Sequence, residues 1–334
     1  MSLRTCLLAT STLAIAAPAL ADVNIYTTRQ PELIQPVMDA FTAETGIAVN
    51  LAFVDDGLVE RLKAEGTRSP ADLVMTVDIA NLKQIVDADV VQAVESDVLN
   101  TAIPAALRDT DNQWFGLTTR ARVVYASHDR VADGELTTYE DLADDKWEGR
   151  ICTRSGLHNY NLALVSAMIA HLGEDGAKDW AAGVKDNLAR KPEGNDRAQV
   201  KAIWAGECDI SLGNTYYMGK MLENEEQTEW ANSVRLVFPE FEDGGSHVNV
   251  SGIALTQAAP NKEEALQLME FLVSPAAQAI YAELNYEYPV LDGAPLSELV
   301  ESWGPVTADA TDLTEIAGHR AAALRIMEEV DFDG

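Results

Sequence analysis

Apolar positions along the N-terminal part of the chain follow two alternating rhythms. VNIYT (23–27), IAVNLAFV (47–54) and ADLVMTV (71–77) are short runs rich in Val, Ile and Leu. They read as strands, and the last is continuous in the manner of a strand covered on both faces of a parallel sheet. Between them, PELIQPVMDAFTAETG places Leu33, Val37 and Phe41 at i, i+4 and i+8 and ends on Gly46. DGLVERLKAEG places Leu58 and Leu62 one turn apart and ends on Gly66. Each reads as an amphipathic helix closed by a glycine. This βαβαβ order predicts an α/β unit with helices on both faces of a sheet.

A second such pattern begins at GRICTRS, passes through the helices NLALVSAMIAHLG and DRAQVKAIWAGE, and returns to a strand at CDISLG. Two longer segments, QWFGLTTRARVVYAS (113–127) and GGSHVNVSGIAL (244–255), are suited to cross between units. Three helical segments follow: NKEEALQLMEFLV, SPAAQAIYAELN and LTEIAGHRAAALRIMEEV. The pattern predicts two α/β lobes joined by two crossing strands. The first lobe takes residues 22–119 plus about 250–300 and the second takes 120–249, with helices over 301–334 packing back on the second. A cleft between two such lobes is a common place for a small ligand.

Composition adds a location. MSLRTCLLATSTLAIAAPALA (1–21) has a basic start at Arg4, an apolar stretch and a small-x-small end at Ala19-Leu20-Ala21. It reads as a cleaved secretory signal and places the mature chain, from Asp22, outside the cytoplasm. Its apolar run is too short and too interrupted to span a bilayer. Cys6 precedes that run, which argues against a lipid-anchored cysteine. Losing the signal removes Arg4 and no acid, taking the net charge from −30 to −31. Such a surface repels nucleic acid and anionic membranes. A salty habitat explains the acidity at least as well as a role in gathering cations.

The mature chain keeps Cys152 and Cys208, and an even count in an oxidising compartment suggests one disulfide. Cys152 to Tyr160 and Cys208 to Tyr216 are both spans of eight residues. If RICTRS and CDISLG are neighbouring parallel strands in register, cysteines and tyrosines pair up together. Two separately buried thiols are the alternative.

The usual catalytic signatures are absent: no G-x-S-x-G, H-E-x-x-H, Walker loop, or G-x-G-x-x-G after the first strand. The five histidines show no metal-ligand spacing, and nothing supports an enzyme. Of nine tyrosines, Tyr125, Tyr281, Tyr286 and Tyr288 read as packing residues. Tyr160, Tyr216 and Tyr217 differ. Each follows a strand closely and stands at the start of a helical segment, the edge of an α/β sheet where ligands bind. Adjacent residues on a strand point apart, whereas about 100° of helical twist per residue lets two long side chains converge. Phenols with pKa of about 10 are poor anions, but a hard trivalent cation favours the phenolate, and hard ions prefer oxygen. Three phenolates balance Fe3+. A stacking platform for an organic ligand fits the same residues.

These segments resemble the periplasmic ferric-ion-binding proteins that feed ABC iron transporters. RLKAEGTRSPADLVMTVDIANL, WFGLTTRARVVYAS, CTRSGLHNYN, GNTYYMGK, HVNVSGIAL and HRAAALRIMEEV carry the likeness across the mature chain. The resemblance implies a bilobed periplasmic-binding-protein fold with Fe3+ in the cleft, held by Tyr160, Tyr216 and Tyr217. Carbonate or another synergistic anion would complete the shell, and Arg120 matches the arginine that steadies the anion or the phenolates. Ser155 and Asn161 are outer-sphere candidates that also read as strand-end or capping residues.

One departure stands out: many relatives carry His-Tyr where YTTRQP has Gln30 and Pro31. The first lobe is therefore expected to supply no strong protein ligand, with Gln30 left to hydrogen-bond the anion. Asp55, Asp56 and Asp78 read as helix caps rather than ligands. The resulting expectation is a monomeric carrier that captures ferric iron, does no covalent chemistry, binds no nucleic acid and delivers to an ABC permease in the inner membrane. Its rival is a binding protein of the same fold for an organic or oxyanion solute, with the tyrosines stacking on it.

Overall fold

The computed structural model describes residues 21–54 and 57–334. The expected signal, apart from Ala21, and the caps expected at Asp55 and Asp56 lie outside the described residues.

The chain begins with β1 (Val23–Thr27), α1 (Gln35–Thr45), β2 (Val49–Phe53), α2 (Leu58–Glu65), β3 (Leu73–Thr76), α3 (Ile79–Asp87), β4 (Val91–Gln92) and α4 (Asp97–Ala102). β1 lies between β2 and β3, parallel to both. All of β3 is buried, as its unbroken apolar run requires. Gly46 closes α1 in the left-handed conformation at φ 77°, which a residue without Cβ enters freely. The apolar stripe of α1 departs from expectation in one place. Leu33 sits in a 3-10 turn (Pro31–Leu33) ahead of the helix, and Met38 joins Val37 and Phe41 on the buried face. Pro36 is the reason, because proline is tolerated only in a helix's first turn.

β5 (Phe115–Ser127) is followed by β6 (Ile151–Cys152), α5 (Asn159–Asp186), α6 (Asp196–Ala205), β7 (Ile210–Asn214), α7 (Tyr216–Leu222), α8 (Thr228–Asn232), β8 (Val234–Val237) and β9 (Val248–Thr256). Last come α9 (Lys262–Leu272), α10 (Pro275–Asn285), β10 (Tyr288–Pro289), α11 (Glu298–Ser302), α12 (Leu313–Gly318) and α13 (Arg320–Glu329). The segment expected as one terminal helix is thus two, broken at His319 just after Gly318, a weak helix former.

β5 belongs to two sheets. Its first half runs antiparallel to β9, which also pairs with β3. Its second half runs antiparallel to β7 and β8. The two α/β units therefore join along β5 and β9. α13 packs on α5, while α12 touches both α5 and α3 and so spans the two units. In the first unit α1 and α9 bring Phe41 and Phe271 together in the core with ring centroids 5.4 Å apart. Among the described residues no helix is long and apolar enough to cross a membrane.

β6 and β7 are parallel neighbours, but not in the register that the cysteine spacing suggested. Cys152 stands opposite Ser211, and Cys208 lies just before β7. The pairing is only two residues long, too short for its side chains to specify register. The disulfide nonetheless forms across this offset, with Cα atoms 5.8 Å apart, inside the range that a bridge spans. Because the cysteines are 56 residues apart, the Cys152→Ser/Cys208→Ser protein is expected to lose about 4 kcal/mol of unfolding free energy. Urea denaturation checks this, and a change below about 1 kcal/mol would contradict it.

Candidate functional site

β6 and β7 end at one edge of the second sheet, and the next helices start there. Tyr160 is the second residue of α5, and Tyr216 and Tyr217 are the first two of α7. The end of β7 is fixed by Tyr125, whose hydroxyl donates to the Asn214 carbonyl at 2.6 Å. Having left the strand, Tyr216 and Tyr217 no longer alternate, and their ring centroids lie 4.3 Å apart. The Tyr160 and Tyr216 hydroxyl oxygens are 3.2 Å apart. The three tyrosines singled out from the sequence thus gather at one place.

Tyr160 is held from behind. The Nδ1 of His158 caps α5 by accepting the Tyr160 N–H at 3.1 Å, and its ring meets the phenol edge-on at 4.6 Å. Burial, then the charges of Arg154, Arg122 and Arg320, push the imidazole down to about 3, so it stays a neutral acceptor. Asn161 accepts from Arg122 at 2.7 Å and donates to Thr153 Oγ1 and to the carbonyls of Arg154 and Ser155, each at 3.1 Å. It ties the loop before Tyr160 to the crossing strand. The guanidinium carbons of Arg154 and Arg122 lie 5.1 and 5.8 Å from the Tyr160 ring centroid, and that of Arg197 lies 5.4 Å from Tyr217. Fully buried Asp196 sits 3.5 Å from Arg122 and 3.6 Å from Arg154, setting one negative charge against two of these.

All three phenols are pushed above their ordinary value, first by burial. Arg120 pulls Tyr160 and Tyr216 the other way. The isolated cluster is neutral at physiological pH and becomes anionic only if a cation displaces its protons.

The tyrosines face a cavity of about 490 Å3 whose opposite wall comes from the first unit, through Thr28, Gln30 and Phe53. Its described lining carries five basic side chains, Arg29, Arg120, Arg154, Arg197 and Lys220, against the two acids Glu32 and Glu287. Arg29 is already matched by Glu287 at 2.6 Å. Arg120 is buried, donates to Ser251 at 3.2 Å, and has its second terminal nitrogen without a partner among the described residues. A positive cleft in a chain of net charge −30 is a local reversal of sign.

The other singled-out residues divide. Gln30 is exposed at the cavity rim. Ser155 does not face the tyrosines: its hydroxyl donates to Asp333 at 2.5 Å, near the other end of the chain. Asp78 caps α3, accepting from Ala80 N at 2.8 Å and from Asn249 at 2.9 Å. Among the described residues no group of three or more His, Cys, Asp or Glu is placed to hold a metal ion. Sequence reading missed Arg122, Arg154, Asp196, Arg197 and Lys220. Arg122 was within reach, two positions after Arg120 on one strand and so on the same face. Asp196 and Arg197 come from the start of α6, and no local pattern marks them.

A family model described as bacterial extracellular solute-binding protein matches residues 68–306. The chain is 45% identical to "Iron uptake protein A1" of Synechocystis sp., over 93% of this chain and 87% of that one. It superposes on the apo ferric ion-binding protein A of Pasteurella haemolytica with a TM-score of 0.91 and 48% identity, covering 95% of this chain and 99% of that one. A Trichodesmium protein in complex with iron and citrate matches with a TM-score of 0.88 and 41% identity, covering 93% and 99%.

Proposed function

This chain belongs to the family of bacterial extracellular solute-binding proteins, and from that premise we propose that it captures ferric iron in the periplasm and hands it to an ABC permease. The family's members are binding proteins of transporters, not enzymes, and the fold is bilobed α/β. The observation that carries the ferric reading is the gathering of three phenol oxygens beside a cationic cleft, with two of them 3.2 Å apart. Tyr160, Tyr216 and Tyr217 would bind Fe3+ as phenolates, an all-oxygen set for a hard ion. Three negative charges balance the metal, so the surplus of basic side chains calls for a further anion. Arg120 offers that anion an uncommitted donor, Arg197 offers it charge, and Gln30 offers an amide from the opposite wall. Carbonate fits this role, and so does a small carboxylate.

In this reading the lobes divide as 22–119 plus about 250–300, and 120–249, with the C-terminal helices as a strap. The first lobe contributes no strong ligand, so the drive to close over iron comes from the anion and the walls rather than from a second set of metal bonds.

Protein purified from the periplasm is expected to contain iron and to absorb visible light by phenolate-to-iron charge transfer, more strongly with added bicarbonate. Metal analysis without iron, or iron-loaded protein without a visible band, would end the ferric reading. The positive cleft also favours an organic or oxyanion solute bound without metal. That complex would be colourless.

A further inference from the structure

α7 carries the adjacent tyrosines on its first turn and a different contact on its second. There Gly219 faces the ring of Tyr286 so closely that a Cβ on Gly219 would lie 2.1 Å from its Cδ2, a severe overlap. The Tyr286 hydroxyl donates to Glu223 Oε1 at 2.7 Å. Lys220 Nζ lies 5.5 Å from the same ring and pairs with Glu223 at 3.0 Å. Tyr286 itself belongs to the other unit. It follows α10, which packs on α1 and α9, and the next residue, Glu287, is the partner of Arg29.

Tyr286 stands at φ 56°, ψ 33°, the left-handed conformation that ends α10. Glycine or asparagine is usual at such an end, and a bulky aromatic adopts it only against its preference. Residues are held this way where surrounding contacts over-determine them. Ring, hydroxyl and π-face of Tyr286 all meet α7, the helix that presents Tyr216 and Tyr217. A helix cap alone requires none of these contacts.

We propose that Tyr286 is a knob by which the lobe holding β1–β3 braces α7, making it a positioning residue for Tyr216 and Tyr217 although it donates nothing to the metal. The proposal rests on the ferric reading above. It makes the geometry of two ligands depend on where the opposite lobe stands, through a contact one turn further along α7 from them. A first lobe without a ligand of its own thereby still governs how firmly iron is held.

The test uses the full mature chain loaded with iron, and follows its visible band while excess chelator strips the metal. Tyr286→Gly removes knob and backbone strain together, and Gly219→Ala drives the ring off the helix. Tyr286→Phe keeps the ring but loses the bond to Glu223. Under the proposal, Tyr286→Gly and Gly219→Ala release iron at least about fivefold faster, the lower end of ordinary coupling between sites. Their band moves or weakens, and Tyr286→Phe falls between them and the parent. If Tyr286 is only a cap, Tyr286→Gly stabilises the iron-free protein against heat and releases iron at the parental rate with the parental band, which overturns the proposal. Should Gly219→Ala fail to fold, the two Tyr286 variants still decide. A parent protein with no band overturns the ferric reading instead, and this inference with it.

Discussion

Tyr216→Phe is expected to weaken and shift the visible band of the iron-loaded protein and to weaken its hold on ferric iron more than about a hundredfold. Tyr216 is central to the cluster, with its hydroxyl 3.2 Å from that of Tyr160 and its ring 4.3 Å from that of Tyr217. Phenylalanine keeps the buried ring and its packing, so the fold survives, and only the anionic donor is lost. Even partners that merely orient metal ligands are worth about 10–100-fold in affinity. Deleting a donor that also carries one of three balancing charges must cost more. Tyr217→Phe and Tyr160→Phe should act in the same direction. Tyr26→Phe is the control, because its hydroxyl bonds Glu65 and Arg61 on the outer face of the first unit and should leave colour and affinity untouched. Chelator competition with the visible spectrum reads all four. An unchanged band in the three cluster variants would show that the tyrosines are not ligands.

The parts of this site that were legible in the sequence are those set by local physics. An unbroken apolar run places β3 inside the sheet. A pair of tyrosines just past CDISLG belongs to a helix start, because strand alternation would separate them. Asp78 before an apolar periodic stretch is a cap, and its carboxylate is engaged as one. The disulfide and the meeting of the three tyrosines were also anticipated, but two inferences that needed a tertiary coordinate failed. Equal spacing of Cys152–Tyr160 and Cys208–Tyr216 is compatible with more than one offset between two short strands, and Cys152 in fact faces Ser211. Ser155 lies five residues before Tyr160 in sequence, yet its hydroxyl turns to Asp333 because the C-terminal segment packs there. The basic wall is assembled from β5, α6, α7 and the loop before α5, so no window of sequence contains it. Overall acidity hides it further, since composition averages over a surface on which the cleft is the exception.

That exception decides how the centre responds to acid. With free Fe3+ held constant, affinity should fall by up to about a thousandfold for each unit of pH lost, since each of three protons contributes a factor of ten. The sign follows from proton counting. In the iron-free protein all three phenols hold their protons past the ordinary value of about 10, because burial raises them further. In the proposed ferric form none would. The iron-free state therefore binds more protons at every pH below that range, and acid favours it. The same displacement acts oppositely on the empty fold. A group whose folded value lies above its unfolded one stabilises fully below the unfolded value, and that support is lost as pH rises through the folded one. Empty protein should thus weaken on the alkaline side, where the ferric protein is most secure. The arginines lining the cleft stay charged throughout, so the anion's partners do not change over this window. Competition against a chelator of known protonation, across about pH 5 to 8, gives the slope of log affinity against pH. A slope near three is the signature of three phenolates. A slope near zero means that iron displaces no phenol protons, which would end the phenolate assignment.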